Sequence, residues 1–332
     1  MDDLKKTLEK SFEWRFSHFG KVGKKAEKGK NTETASQAIR LFAGTADGVP
    51  GLIIDQFGSF LVATLYNPKA NINAGKLRGM IEEAFPGKTI LVKYRDNQGK
   101  WAYLGNNPFS FSGHNICREG QESFRIQHDP NHDFGLFLDT KAARNWLRDH
   151  AQGKNILNLF SYTCAFAVAG MCSQAKGVTN IDPNKSYLSW GKKNAELNNT
   201  DFRNYEDTTQ KYLARHIKRI AKGTDSPYDI IITDPPAFLV GRGEDRLGRK
   251  FWPLMLDQLL QCKAQKLLLI CNDKAFRKGR QLYTFLNDHI GTQYSFKAIK
   301  QSYDILGQNN KDESQPDGYY LPPQVYMAEL RK

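Results

Sequence analysis

Cysteine is scarce in this chain of 332 residues. Its five thiols, Cys117, Cys164, Cys172, Cys262 and Cys271, form no CxxC pair and no zinc-type spacing. That pattern excludes a disulfide framework or a structural zinc site and predicts reduced, free thiols. No stretch approaches the roughly 18 consecutive apolar residues of a membrane span. The opening MDDLKKTLEK lacks the apolar core of a signal peptide. A cytoplasmic protein with no membrane partner is therefore expected. The glycine fingerprint GxGxxG of dinucleotide folds and the glycine–lysine signature of a P-loop are also missing. Acidic residues are in deficit, 35 Asp and Glu against 48 Lys and Arg, which leaves a net charge of +13. Such a surplus favours a polyanionic partner, with RNA, DNA and anionic membrane as the candidates.

The pattern along the chain divides into three segments, 1–37, 38–122 and 123–332. In the first, Leu4, Leu8, Phe12, Phe16 and Phe19 recur every three or four residues, the stripe of one amphipathic helix. The lysine- and glycine-rich GKVGKKAEKGKN that follows reads as a linker. The second segment is strand-rich: AIRLF, GLIID and FLVATLY are separated by turn-forming Asp47-Gly48 and Gln56-Phe57-Gly58-Ser59. A helix is predicted over 74–85, then the strand TILVKYR. This reads as a small α/β domain whose expected role is substrate docking or structural support. In the third segment KNILNLF, GVTNID, YDIIITD and KLLLIC are apolar runs of strand length with helical patterns between them. That alternation predicts an α/β, Rossmann-like, doubly wound and mostly parallel sheet covered on both faces.

In such sheets a ligand lies across the carboxyl ends of the strands, near the point where the strand order reverses. Three features converge there. NLFSYTCAFAVAG is a strand end, a tight turn and a small-residue helix start. Asp182 closes the next strand about twenty residues later, where an acid usually takes ribose hydroxyls. Asp234-Pro235-Pro236-Ala237-Phe238 follows the strand YDIIIT. The two prolines end that strand abruptly and hold the acid and the aromatic in fixed positions. A carboxylate on a base edge and a ring on its face would suit a flat nucleobase.

With these residues in view, the chain resembles the class I S-adenosylmethionine-dependent RNA methyltransferases, specifically the bacterial family that methylates bases of large-subunit (23S) ribosomal RNA. LFAGTADGVPGLIIDQFG, FGLFLDTKAARN, NLFSYTCAFAVAG and TDPPAF carry the resemblance, in this order from about Arg40 to the C-terminus. It implies a seven-stranded methyltransferase domain with S-adenosylmethionine as cofactor and RNA as partner, while a homodimer is left open. It also implies that Phe137, Asp139 and Arg144 close over the cofactor. Asn158, Phe160, Ser161 and Tyr162 would line its methionine side, Asp182 would bind the ribose, and Asp207 would approach the adenine amino group. Asp234, Pro235 and Phe238 would form the catalytic floor under the methyl group and the target base.

Three departures qualify the resemblance. Cys164-Ala165 stands where members of that family usually carry Gly-Gly, and where many of them carry a PUA-type RNA-binding domain, only the helix and lysine-rich linker are expected before the middle segment. Branches that make 5-methylcytosine carry a cysteine nucleophile in a Ser-Cys-Ser segment, because a thiolate must add to the ring before C5 can attack. Here the segment reads LLLICNDKAF, with Asn272 at the cysteine position and Cys271 one residue earlier. A one-residue shift in a strand turns the side chain to the other face, so Cys271 is expected to be a buried core thiol. The segment is closer to the branch that methylates guanine N7, whose lone pair needs only in-line positioning. Guanine is thus favoured over cytosine. Protein-amide methylation and a non-catalytic RNA-binding protein are the rival readings. His128 and His132 stand beside acids in QHDPNHDFG, but Pro130 breaks a shared helical face and no metal site is expected. Arg242, Arg246, Arg249 and Lys250 form a loop that would reach phosphates or stay solvated.

Overall fold

The computed structural model describes residues 2–19, 37–66, 72–95, 100–105, 115–127, 133–236, 251–272, 276, 281–301 and 323–331. The chain forms two compact units: Met1–Leu138 with Ser302–Leu321, and Asp139–Gln301 with Pro322–Lys332.

The smaller unit is a five-stranded sheet in the order β1 (Ala38–Ala43), β2 (Leu52–Phe57), β3 (Phe60–Leu65), β4 (Thr89–Arg95), β5 (Trp101–Leu104). Its pairs are antiparallel except β3–β4, which run parallel because α2 (Ala74–Ala84) carries the chain across. A parallel pair needs such a crossover. The N-terminal stripe forms helix α1 (Asp2–Phe19). Leu8 and Phe12 are buried in the same core as Leu41, Ile54, Leu77 and Ile81. Phe12 and Phe16 meet Phe85 edge-on, with ring centroids 4.9 and 5.9 Å apart. A short ribbon, β6 (Ile116–Glu119) and β7 (Glu122–Arg125), completes the unit's strands among the described residues.

The larger unit begins with α3 (Lys141–His150), entered through a single 3₁₀ turn at Leu138–Thr140. Then β8 (Asn155–Leu159), α4 (Ala165–Cys172), β9 (Gly177–Asp182), α5 (Lys185–Leu197), β10 (Arg203–Glu206), α6 (Thr209–Ala221) and β11 (Ile230–Thr233) alternate. α7 (Phe251–Gln261), β12 (Lys266–Cys271), α8 (Gln281–Ile290), β13 (Tyr294–Ile299) and β14 (Gln324–Leu330) follow. The seven strands lie in the order β10-β9-β8-β11-β12-β14-β13. β14 runs antiparallel to both its neighbours, and the remaining pairs are parallel. β12 shows why its sequence is a continuous apolar run. Leu267, Leu269 and Cys271 face a core with Trp252, Leu256 and Leu286, while Leu268 and Ile270 face a second core with Leu147 and Ala167. Both sides are covered, so no alternation is wanted. The strand order reverses at β8, which puts the switch-point crevice at the carboxyl ends of β8 and β11.

Candidate active site

The turn after β8 has the most unusual backbone among the described residues. Phe160, Tyr162 and Cys164 take φ of 55°, 46° and 60°, the left-handed region that costs a side-chain-bearing residue about 1–2 kcal/mol. Three such residues within five persist only where the surroundings over-determine them. Here the surroundings do so. Ser161 N–H donates to the Ile181 carbonyl (3.1 Å) and Cys164 N–H to that of Ser161 (2.7 Å). Asn194 on α5 donates its amide to the Thr163 carbonyl at 3.0 Å. The Tyr162 ring packs against Tyr187 and Trp190 at centroid distances of 4.5 and 6.2 Å.

Cys164 fits where the resemblance expects glycine because α5 withdraws to admit it. A Cβ on Gly191 would lie 2.4 Å from Cys164 Sγ and 2.9 Å from its Cβ. The lost glycine of the turn is matched by a glycine on the facing helix. Burial pushes the Cys164 thiol well above its ordinary range, so it is a packing group rather than a nucleophile.

Beneath the turn three asparagines sit at one level across three parallel strands. Asn158 Nδ2 donates to Asn180 Oδ1 (2.8 Å), Asn180 Nδ2 to Asn204 Oδ1 (3.0 Å), and Asn204 Nδ2 to the Leu188 carbonyl (3.1 Å). The strand register pairs Asn158 with Asn180 and Asn180 with Asn204. Asn158 is 1% exposed, so its side chain supports the turn from below. The sequence reading missed this ladder because residues 158, 180 and 204 become neighbours only through the register.

Asp182 closes β9. One carboxylate oxygen accepts the Tyr162 N–H at 2.9 Å and the other the Asn184 N–H at 2.8 Å. No cation pairs with it among the described residues. Burial raises its pKa, opposed by the two backbone hydrogen bonds. Asp207 follows β10 and is joined to the same site through its N–H on the Asp182 carbonyl (3.2 Å). Its carboxylate caps the Thr208 N–H at 2.8 Å and pairs with Arg215 of α6.

At the end of β11, Asp234 is partly exposed and Pro235 buried. Burial, reinforced by the negative charge of Asp139 and opposed by Arg144, pushes the Asp234 carboxyl up to about 7. The structure thus brings Asp139 and Arg144 into the electrostatic environment of the Asp-Pro-Pro corner. Arg144 is buried, donates to Thr140 Oγ1 at 2.5 Å and lies 5.8 Å from the Phe166 ring centroid. Phe137 is 42% exposed, and Phe160 packs against Phe251 of α7, centroids 6.2 Å apart. Phe238, the arginine-rich stretch after it, His128 and His132 lie outside the described residues. Cys271 is 4% exposed and faces the core, and Asn272 is exposed. Among the described residues no group of three His, Cys, Asp or Glu side chains could hold a metal ion, and no helix is long and apolar enough to cross a membrane.

The donor set suits an adenosyl ligand. An unpaired, water-shielded carboxylate at the end of β9 can accept two hydroxyls, and a rigid turn presents backbone above β8.

Comparison with known proteins points the same way. Residues 83–279 match the S-adenosylmethionine-dependent methyltransferase family. Ribosomal RNA large subunit methyltransferase I of Yersinia pseudotuberculosis is 30% identical over 213 residues, covering 62% of this chain and 52% of that protein. The Erwinia tasmaniensis protein of that name is 31% identical over 218 residues, with shares of 62% and 53%. The chain thus spans about half the length of the curated relatives it matches. Among solved structures, a Streptococcus mutans protein assigned to the SAM-dependent methyltransferases superposes with a TM-score of 0.77 at 23% identity, covering 98% of this chain and 80% of that one. A SAM-dependent methyltransferase from Agrobacterium tumefaciens gives 0.60 at 20% identity, covering 89% and 90%. These structural likenesses show the shared fold.

Proposed function

The chain belongs to the S-adenosylmethionine-dependent methyltransferase family, and from that premise we propose that it methylates a base of large-subunit ribosomal RNA, with a guanine nitrogen as the target. The observation that carries the chemistry is the pairing of the Asp234-Pro235 corner with the burial of Cys271. Bound S-adenosylmethionine supplies an electrophilic methyl group. Asp182 would hold the ribose hydroxyls, with Asp207 beside it toward the adenine. Phe160, Ser161 and Tyr162 would shape the methionine side, and Asn158 would act by fixing that turn. Phe137, Asp139 and Arg144 would close the site.

A thiolate nucleophile is needed for cytosine C5 and not for a nitrogen that already carries a lone pair. With Cys271 turned into the core, the nitrogen target is the better fit. Methylation at guanine N7 makes a neutral base cationic, so an ionised Asp234 on its edge would stabilise the charge that develops. Phe238 would stack on the base face. The ribosomal RNA substrate draws support from the names of the relatives and from the charge surplus of +13.

The test is methyl transfer to total RNA followed by nucleoside mass spectrometry, repeated with 5-fluorocytosine-substituted RNA. A methylated guanine with no trapped protein–RNA adduct is expected. Methyl transfer should rise with pH through about 7 as Asp234 ionises. A trapped adduct lost in Cys271→Ser would restore cytosine C5. Methylation of protein amides and not of RNA would overturn the substrate class.

A further inference from the structure

Helix α6 carries Lys211, Arg215, Lys218 and Arg219 and no acid in its thirteen residues, and Lys222 caps its C-terminus. Thr209, Tyr212, Leu213 and His216 form its buried face. At 100° per residue Lys211, Arg215, Lys218 and Lys222 fall within about 60° of arc on the opposite side. All four are exposed, and they span roughly 16 Å at 1.5 Å per residue. Like charges at i,i+3 and i,i+4 oppose helix formation, so a helix that only needed solubility would intersperse acids. Arg215 pairs with Asp207 and Arg219 with Asp225. Lys211, Lys218 and Lys222 have no carboxylate partner among the described residues.

β10, an edge strand of the sheet, ends just before Asp207, the partner of Arg215 in this row. Its Tyr205 is 46% exposed, with its ring 5.7 Å from that of Tyr212 on α6. A line of cations with an exposed aromatic next to it is the arrangement that tracks a nucleic-acid backbone and stacks a base. An anionic membrane fits less well. Ala214 and the lysines on the exposed face offer no large apolar group for insertion.

We propose that the exposed face of α6, with Tyr205, is an RNA-docking surface: Lys211, Lys218 and Lys222 bind successive phosphates and Tyr205 stacks an unpaired base. This rests on the RNA-substrate reading above and adds where the RNA lies. Because Arg215 also holds Asp207, the RNA track would begin beside the adenosyl end of the cofactor site.

The test compares wild-type protein with K211Q/K218Q/K222Q, with Tyr205→Ala and with the α5 control K185Q/K192Q/K193Q. Binding to transcribed large-subunit ribosomal RNA and to labelled oligouridylate is measured across a salt series, with S-adenosylmethionine binding and melting as checks on the fold. The α6 triple variant should lose about two units of the log–log salt slope, roughly 0.7 per single-strand phosphate contact. Tyr205→Ala should lose about tenfold in affinity with the slope intact. Cofactor binding should stay unchanged in both. A slope equal to wild type in the α6 variant, or an equal loss in the α5 control, overturns the docking surface while leaving the RNA substrate standing. Wild-type protein that binds RNA weakly and without salt dependence overturns both. Binding to phosphatidylserine vesicles that the α6 variant loses, with RNA binding retained, would reassign the face to a membrane.

Discussion

Two turns, one in each unit, are pinned by an aspartate that accepts a backbone N–H, and they differ in what else that aspartate does. In the smaller unit Asp47 takes the Ala43 N–H at 2.6 Å, and the flanking left-handed positions are glycines, Gly44 and Gly48. Its charge is cancelled by Arg15 of α1 at 2.7 Å, both side chains being fully buried. In the larger unit Asp182 takes the Tyr162 N–H at 2.9 Å, but the left-handed positions are Phe160, Tyr162 and Cys164 and no cation answers the charge among the described residues. The first turn is relaxed and sealed, and serves the fold. The second is strained and electrostatically open, the combination expected of a ligand-binding turn rather than of a structural corner of similar wiring.

The largest effect should come from unsealing the first turn. Arg15→Ala leaves a buried, uncompensated Asp47 and should cost about 3–5 kcal/mol in chemical denaturation, while Arg15→Met with Asp47→Asn should recover much of it. An Arg15→Ala protein of unchanged stability would show that the pair does not hold α1 to the sheet.

Removing the open aspartate should hurt binding more than folding. Asp182→Ala is expected to weaken S-adenosylmethionine binding by about 1.5–3 kcal/mol, the scale for hydrogen bonds to a charged acceptor, read by calorimetry. Wild-type affinity in the folded variant would remove Asp182 from the site.

Gly191→Ala forces a methyl group against Cys164 and should destabilise the protein by about 1–3 kcal/mol, the usual cost of overpacking. In a Cys164→Gly background the obstruction is gone, leaving the Thr163 carbonyl at 3.4 Å. There the same change should be neutral or stabilising by up to about 1 kcal/mol through helix propensity. Additive costs in this cycle would refute the compensation between the two positions.

The smallest effect concerns a third aspartate that is neither sealed nor open. Asp225 is exposed and accepts from His216 Nδ1 and Arg219 Nε, both at 3.0 Å. Burial lowers the His216 pKa below the ordinary imidazole value of 6.5, against the pull of Asp225. The unfolded chain therefore takes up the proton first as pH falls. This stability is present above 6.5 and is lost as pH drops toward the folded-state value. His216→Phe should flatten the loss of stability that sets in as pH falls below about 6.5, read by denaturation across a pH series. An unchanged pH profile would assign that sensitivity elsewhere.

Much of the architecture was legible in the sequence. The stripe from Leu4 to Phe16 became α1, and AIRLF, GLIID, FLVATLY and TILVKYR became strands of the smaller unit. KNILNLF, GVTNID, YDIIITD and KLLLIC became β8, β9, β11 and β12. Periodicity is a local property, and these segments carry it strongly. The short strands β5, β6, β7 and β10 were not read, nor were β13 and β14. β5 to β7 have only four residues each, and β13 is largely exposed, so their identity rests on a partner rather than a pattern.

At the site the sequence by itself determined which residues stand at strand ends, because turn chemistry and Pro-Pro punctuation are written locally. It also determined that Cys271 turns into the core, from the two-residue period of a strand. What only the tertiary structure decided is how distant residues meet. The Asn158–Asn180–Asn204 ladder depends on the register of three parallel strands. The seat for Cys164 depends on Gly191, a glycine on α5. The charge on Asp234 depends on Asp139 and Arg144, brought to it from α3 and its entry turn. Register, close packing and the dielectric around a carboxylate are set by groups far apart in the chain, so no local pattern can encode them.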